Sequence, residues 1–370
     1  MIGKNLTLSN ISKRYGAVEA VRDTSLEIHA GEFVSIVGPS GSGKTSLLTM
    51  IAGFEHPSSG SIHIATKNIT AAAPHRRDIG MVFQRYALFP HMTVRQNIEF
   101  PLRMRKSSRS AEGRQRVTEM LDLVQLGGLE HRYPHQLSGG QQQRVAVARA
   151  LVFNPSVILM DEPLGALDKK LRESMQLEIK RIHETVGATV VYVTHDQEEA
   201  LTMSNRVAVM HRGSLQQIGV PDELYRNPAN AFVADFVGSI NFLPVSVVSS
   251  DDTSVIVVVK GSSSPITISG NRSGDRPAIA QALRLGVRPE HLRLRRSKWD
   301  RESPLEGTVD SVVFAGASLF ALVRIAAHGD AIVRVQLPAI EPAPERGALV
   351  GLDFAPEHAR LFSAASEGAR

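Results

Sequence analysis

Eight consecutive residues carry the first chemical reading of this chain: Gly38-Pro39-Ser40-Gly41-Ser42-Gly43-Lys44-Thr45. They fit G-x-x-x-x-G-K-[ST], a loop whose backbone N–H groups turn inward around a phosphate while the following helix start adds partial positive charge. Lys44 is expected to reach the β- and γ-phosphates of a nucleotide, the Thr45 hydroxyl to ligate Mg²⁺, and Ser46 to stand beside them in the first helical turn. A second cluster is Val157-Ile158-Leu159-Met160-Asp161-Glu162, an apolar run ending in two carboxylates. Asp161 suits a Mg²⁺ position, bound directly or through water. Glu162 lies one residue on, so its side chain is directed elsewhere, toward the γ-phosphate and an attacking water, and it is the candidate general base. The third is Leu137-Ser138-Gly139-Gly140-Gln141 ahead of an apolar helix pattern. A serine, two glycines and a helix start make a second anion site; standing alone, the same residues are an ordinary N-cap.

The elements that must position these groups follow from periodicity. Glu32–Val37 reads as a buried strand leading into the phosphate loop, and Leu47, Leu48 and Ile51 mark one face of a helix that stops at Gly53. Residues 6–36 alternate in polarity and suggest antiparallel strands leaning on that strand, with Tyr15 in a loop between them. From Tyr86 to about Pro134 the pattern is helical, with Val117, Met120, Leu121 and Val124 at helical spacing before Gly127-Gly128. From Ser156 strands alternate with helices, which implies a parallel sheet covered on both faces. Past Asn227-Pro228 helix signals fade and short strands take over. The expected fold class is an α/β phosphate-loop NTPase with a mixed sheet, an antiparallel subdomain and a helical subdomain over about 86–155. This domain would span 1–236, with an all-β, barrel-like domain over 237–370 whose last residues, 364–370, look frayed.

Composition narrows the function classes. The 370 residues are 42% hydrophobic and 21% charged, as in an ordinary globular protein long enough for two domains. There is no cysteine, which removes disulfides, thiolate metal sites and cysteine nucleophiles. The opening Met1-Ile2-Gly3-Lys4-Asn5 has no apolar leader core and no run approaches a membrane span, so the expectation is a protein that is soluble or held at a membrane by a partner. Net charge is +5, spread as +4 before Asn241 and +1 from there on. Neither part is a nucleic-acid surface by charge. The second part has few aromatics for stacking (Trp299 and Phe314 among them), and its compact basic group is Arg293, Arg295 and Arg296.

Gly38–Thr45, Gln84, Leu137–Gln141, Asp161-Glu162, Ala166-Leu167-Asp168 and His195 stand in the order and spacing of ATP-binding cassette (ABC) ATPases, and residues 6–236 resemble that family. The resemblance implies ATP and Mg²⁺ as cofactors and a head-to-tail dimer with a second copy of the chain. Each ATP would then lie between the phosphate loop of one copy and Ser138, Gly139, Gly140 and Gln141 of the other. It further implies that Tyr15 stacks on adenine, Gln84 touches Mg²⁺ or the water, His195 sits near the γ-phosphate, and Asp168 belongs to a cross-dimer loop. Gly165 replaces a serine common in relatives, and Gln96 an acidic residue. Residues 86–97 resemble the apolar surface that receives a helix of a transmembrane permease subunit. Leu285–Leu292 resembles the accessory β (TOBE) domain of importer ATPases, and Phe236–Leu243 is most like the polyamine-type linker. The implied function is ATP hydrolysis energising solute import at the cytoplasmic face of the membrane, with a periplasmic or extracellular solute-binding protein as an indirect partner. Polyamine cargo is favoured. The alternatives are a sugar, iron(III) or an oxyanion as cargo, or a soluble ABC ATPase acting on nucleic acid.

Overall fold

The computed structural model of the chain describes residues 2–108, 110–251, 253–262, 264–269, 283–295 and 305–363. Arg296, Trp299 and the 364–370 tail lie outside them. The chain divides into two compact units, Met1–Asn227 and Pro228–Arg370.

In the first unit the chain runs β1 (Leu6–Tyr15), β2 (Val18–Ile28), β3 (Phe33–Val37), α1 (Lys44–Ala52), β4 (Ser59–Ile64), β5 (Lys67–Asn68), β6 (Ile79–Val82), α2 (Val94–Met104), α3 (Ala111–Leu123), α4 (Gly139–Leu151), β7 (Val157–Asp161), α5 (Lys169–Val186), β8 (Thr189–Val193), α6 (Gln197–Met203), β9 (Arg206–His211), β10 (Ser214–Gly219) and α7 (Pro221–Arg226). Two sheets form. An antiparallel sheet has the order β2-β1-β4-β5, and a mixed sheet the order β10-β9-β3-β8-β7-β6. Strands β3, β7 and β8 are apolar almost throughout and buried on both faces, as parallel strands covered by helices must be. The two sheets share a core in which Leu6, Leu8 and Ile28 meet Ile36, Leu47 and Val193. Tyr15 is the last residue of β1, paired with Val18, and not a loop residue. The turn between β1 and β2 is so tight that the strand reaches it.

Helices α2, α3 and α4 share a separate apolar cluster with the underside of the mixed sheet, including Val117, Met120, Leu121, Val145 and Ile158. Helix α3 stops earlier than its glycines suggest. Val124 closes it, and Gln125 takes a left-handed φ of 54° before Gly127-Gly128 is reached.

In the second unit α8 (Ala231–Phe236) precedes β11 (Asn241–Ser250), β12 (Ser254–Val259), β13 (Pro265–Ser269), β14 (Leu283–Val287), β15 (Arg293–Arg295), β16 (Leu305–Ala315), β17 (Ser318–Ile325), β18 (Ala331–Pro338), β19 (Leu349–Asp353) and β20 (Ala359–Ser363). They make two five-stranded sheets, β13-β12-β11-β14-β20 and β15-β19-β16-β17-β18. Alternation along β12, β17 and β18 sends every second side chain into one core shared by both sheets.

One buried cation fixes the frame around the phosphate loop. Arg77 is 1% exposed, and its planar fork donates to the carbonyls of Met50 (2.7 Å) and Ile51 (2.8 Å) at the end of α1, and to Ala72 (2.8 Å) and Thr70 (3.0 Å). A positive group at a helix C-terminus opposes the macrodipole and satisfies carbonyls that have no intrahelical partner. Gly53 ends the helix at φ 87°, and a Cβ there would lie 2.7 Å from the Arg77 guanidinium carbon. Arg77→Met should therefore destabilise the protein by about 3 kcal/mol, because it orphans several buried carbonyls at once. Urea denaturation checks this, and a shift under ~0.5 kcal/mol would show that the carbonyls find other donors.

Candidate functional site

The parallel strand order decides what meets what. β3 lies beside β8, β8 beside β7, and β7 beside β6, with Ile36 opposite Val193, Val193 opposite Asp161, and Met160 opposite Val82. The phosphate loop, His195, Asp161-Glu162 and Gln84 therefore emerge at the same carboxyl edge of the sheet, where open α/β folds hold their ligands.

The phosphate loop turns through Gly41 (φ 77°) and Gly43 (φ 98°), conformations that favour glycine. Gly43 is also hemmed in, because a Cβ there would collide with the Ala20 carbonyl on β2. Ser42 accepts from the Gly213 N–H at 3.1 Å through its carbonyl, which braces the loop against the β9–β10 turn. The Ser42 hydroxyl is buried without a protein partner, an orphaned polar atom at the centre of the cradle. Pro39, Ser40, Gly41 and Thr45 are exposed, while Gly38 is buried. Lys44 is 6% exposed and donates to the carbonyls of Gly38 (2.8 Å) and Pro39 (3.0 Å). Burial holds its ammonium below the usual lysine range, and the charges of Glu162 and Asp161 pull it back up. Asp161 is pushed up by burial and by Glu162, and Lys44 offsets part of that.

Glu162 leaves the strand with a left-handed φ of 42°, uncommon for any residue that carries a Cβ, and its N–H donates to Val193 O at 2.9 Å. That kink separates its carboxylate from Asp161. Glu162 Oε2 accepts from Gln84 Nε2 at 3.0 Å and lies 3.4 Å from His195 Nδ1. Three side chains from the ends of three strands thus converge on one carboxylate oxygen. His195 itself is largely exposed. Thr45, Asp161 and the Gln84 amide offer hard oxygen donors, the kind Mg²⁺ takes, and the orphaned Ser42 hydroxyl and glycine-lined loop fit a polyphosphate.

Other expected residues fall in different places. Tyr15 is 45% exposed on the rim of the antiparallel sheet, with Lys13 Nζ 4.8 Å from its ring centre. Ser138 N-caps α4, accepting from Gln141 N at 3.3 Å while Gln141 Oε1 accepts from Ser138 N at 3.0 Å. This is a complete capping box. Among the described residues no hydrogen bond or ion pair joins Ser138–Gln141 to Gly38–Thr45 of the same chain. Asp168 N-caps α5 through Leu171 N at 3.0 Å. Gly165 is not demanded by its backbone; a Cβ there would meet only Glu162 O at 3.5 Å and His195 Cε1 at 4.0 Å. Gln96 is used by another capping box, its Oε1 accepting from Thr93 N at 2.9 Å. Glutamate could serve equally there, so the departure leaves the helix start unchanged.

Arg149 was not singled out by its sequence. It is 8% exposed on α4 and donates to Tyr86 O and Ala87 O, both at 2.8 Å. Tyr86 (φ 59°) and Ala87 (φ 46°) both sit in the left-handed region just after Gln84. An arginine inside the otherwise apolar run Val145–Leu151 was the available signal. Asn97 is fully buried and holds the same loop, through Phe89 N and the carbonyls of Phe89, Met92 and Thr93. Tyr86 is buried, Phe89 packs on Phe100 at 4.5 Å between ring centres, and Ala87, Pro90 and His91 remain exposed.

Residues 21–165 match the family described as ABC transporter, and residues 285–362 the TOBE domain. A protein of Thermobifida fusca (strain YX) named spermidine/putrescine import ATP-binding protein PotA is 47% identical over 363 residues, 96% of this chain and 93% of that one. A protein of the same name from Rubrobacter xylanophilus is 48% identical over 317 residues, 86% of this chain and 82% of that one. Among solved structures, two dimeric forms of the ATP-binding cassette MJ0796 are 38% identical and cover 58% of this chain and 98% of theirs. One is a post-hydrolysis state bound to ADP and Pi, with a TM-score of 0.51; the other has a TM-score of 0.52.

The electrostatics of Asp161 give a signed expectation. Its folded pKa is raised, so the neutral form is favoured in the fold. Below the ordinary aspartate pKa of ~4 the carboxyl is neutral in both states, and Asp161→Asn should melt with the wild type. As pH climbs through the raised folded value the wild type loses stability that the asparagine keeps. At pH 7, without nucleotide, the variant should melt a few degrees higher while hydrolysing ATP at least ~100-fold more slowly. A melting temperature that is lower at pH 7 would show that the carboxylate stabilises the empty site instead.

Proposed function

The chain belongs to the ABC transporter family, and we propose that it is the ATP-hydrolysing subunit of an importer whose cargo is a polyamine of the spermidine or putrescine type. The observation that carries the ATPase reading is the convergence of Gln84, Glu162 and His195 beside a phosphate loop. The cargo reading rests on near-full-length similarity to proteins named for spermidine/putrescine import.

On this reading the Gly38–Ser46 loop and Lys44 hold the triphosphate, and Tyr15 stacks on the adenine. Thr45, Asp161 and Gln84 would hold Mg²⁺, which would supply neutralising charge for the phosphates. Glu162 accepts a proton from water as that water attacks the γ-phosphorus and the bond from phosphorus to the β-phosphate oxygen breaks, releasing ADP and inorganic phosphate. Gln84 Nε2 and His195 aim the carboxylate, and His195 faces the γ-phosphate from the other side. Lys44 now bonds two loop carbonyls, and a γ-phosphate offers its ammonium a stronger, charged acceptor.

Ser138, Gly139, Gly140 and Gln141 complete the site of a second copy, with Asp168 at the cross-dimer contact. Two helix N-termini then share one concentrated negative charge, so nucleotide joins the copies and hydrolysis loosens them. Residues 86–97 meet the transmembrane permease through the exposed Ala87-Pro90-His91 edge and the Phe89–Phe100 ring pair. The loop starts two residues after Gln84, so a push on it reaches the group that orients Glu162. The protein then works at the cytoplasmic face of the membrane. No helix among the described residues is long and apolar enough to cross it.

Glu162→Gln should leave ATP affinity within about twofold, lower hydrolysis by roughly 100-fold or more, and elute as an ATP-dependent dimer on size exclusion. Near-normal turnover in the purified variant would overturn the role of Glu162. Reconstituted with its permease and binding protein in liposomes, the wild type should be stimulated by spermidine or putrescine. Stimulation by a sugar, ferric iron or an oxyanion in their place would overturn the cargo.

A further inference from the structure

Among the described residues the His195 ring, largely exposed, is held at Glu162 Oε2, 3.4 Å from its Nδ1. The residues on either side of it are anchored. Thr194 Oγ1 donates to Glu199 Oε2 at 2.7 Å and accepts from Asp196 N at 3.0 Å. Asp196 N-caps α6 through Glu198 N (2.9 Å) and Glu199 N (3.2 Å). Glu199, 2% exposed, also accepts from Tyr192 OH at 2.8 Å. These two carboxylates face one cation, Arg172 of α5. Its NH1 donates to Asp196 Oδ2 at 3.1 Å, and its Nε lies 3.7 Å from Glu199 Oε1. Its NH2 donates to Leu167 O at 3.2 Å, in the Ala166-Leu167-Asp168 turn. One planar guanidinium thus ties the turn that carries His195 to the turn that carries Asp168.

The second turn is in contact with a further element. A Cβ built on Gly139 would meet Leu167 Cδ2 at 3.2 Å, and one on Gly140 would meet Leu171 Cδ1 at 3.0 Å. The two leucines that flank Asp168 are therefore seated on the start of α4. In the head-to-tail dimer, His195 and Glu162 act on the ATP of their own subunit, whereas Ser138–Gln141 act on the other. Arg172 stands between these two groups within one chain.

We infer that Arg172 is a positioning residue for hydrolysis: it sets the distance from His195 to Glu162 by locking the Thr194–Asp196 turn to the Leu167–Asp168 turn. The inference rests on the ATPase reading above. Lysine cannot replace it, because one ammonium cannot span Leu167 O, Asp196 and Glu199 as a fork does.

A purely structural role is the competing explanation, and charge balance separates the two. Removing Arg172 leaves buried Glu199 without a cation, which destabilises the fold whatever happens to His195. In Arg172→Met/Glu199→Gln that unpaired charge is gone, while the Gln oxygen still accepts from Tyr192 and Thr194. ATPase kinetics and melting temperature are measured on the full chain for wild type, Arg172→Lys, Arg172→Met and the double variant. The double variant should recover the wild-type melting temperature and a KM for ATP within about twofold, yet keep a kcat about tenfold down. Arg172→Lys should show the same kcat deficit. Recovery of kcat together with stability, or a wild-type kcat in Arg172→Lys, would overturn the inference and leave the ATPase reading standing. A wild type that does not hydrolyse ATP would instead sink that reading.

Discussion

The structure depends on one electrostatic arrangement: a buried ammonium, Lys44, opposite two successive carboxylates at the end of β7. Neither side is comfortable without the other. Burial works against the charge on Lys44 and on Asp161, and each partly relieves the other. On the proposed reading, a nucleotide with its cation would bring the charges that this site leaves unbalanced. The parallel sheet is the device that brings the groups together, because β3, β8, β7 and β6 must all end at one edge. Both carboxylates act on Lys44, and the left-handed turn at Glu162 lets that one also meet Gln84 and His195. Backbone strain of this kind persists only where neighbours over-determine it, and here the Val193 carbonyl and the Gln84 amide do so.

Buried arginines connect this centre to the rest of the first unit. Arg77 holds the end of α1 to the strand that leads to Gln84, and Arg149 holds the two left-handed residues after Gln84 to α4. Each donates to backbone carbonyls. A guanidinium can do this because its five donors lie in one plane and it is weakly hydrated, so burying it costs less than burying an ammonium. Helix ends and loop turns, where carbonyls lack partners, are thereby fixed to one another.

The phosphate loop and the strand ending in Asp161-Glu162 were legible because each is local: a glycine spacing next to a β-branched run, and an apolar run with a charged end. The β character of residues 241–363 was legible for the same reason, since alternation along β12 and β18 needs only the chain itself. What the sequence hid is non-local. Gln84 and His195 are uninformative residue types by themselves and were reached only through the family resemblance; that they share one carboxylate oxygen follows from the strand order. Tyr15 was misplaced into a loop because a strand that runs to the edge of a tight hairpin has the same residues as the loop it replaces. Strands β4, β9 and β10 were overlooked between stronger signals. Arg77 resembled a surface charge, and for Arg149 the one signal was its place inside an apolar run.

On the proposed reading, the glycines at the start of α4 would build half a site in advance. Ser138 and Gln141 already satisfy one another, so the cap stands without a ligand. The N–H groups of Gly139 and Gly140 have no intrahelical acceptor, as at every helix start. Gly139 and Gly140 are helical, and their backbone angles do not require glycine. Their lack of side chains does two other things: it leaves those N–H groups uncovered, and it admits Leu167 and Leu171 to the helix start. The anion-facing turn and the Asp168 turn are thus one packed piece. On the proposed reading, a phosphate held by a second copy would meet a surface whose shape is already set, so its binding energy would go into holding the two copies together rather than into ordering the turn.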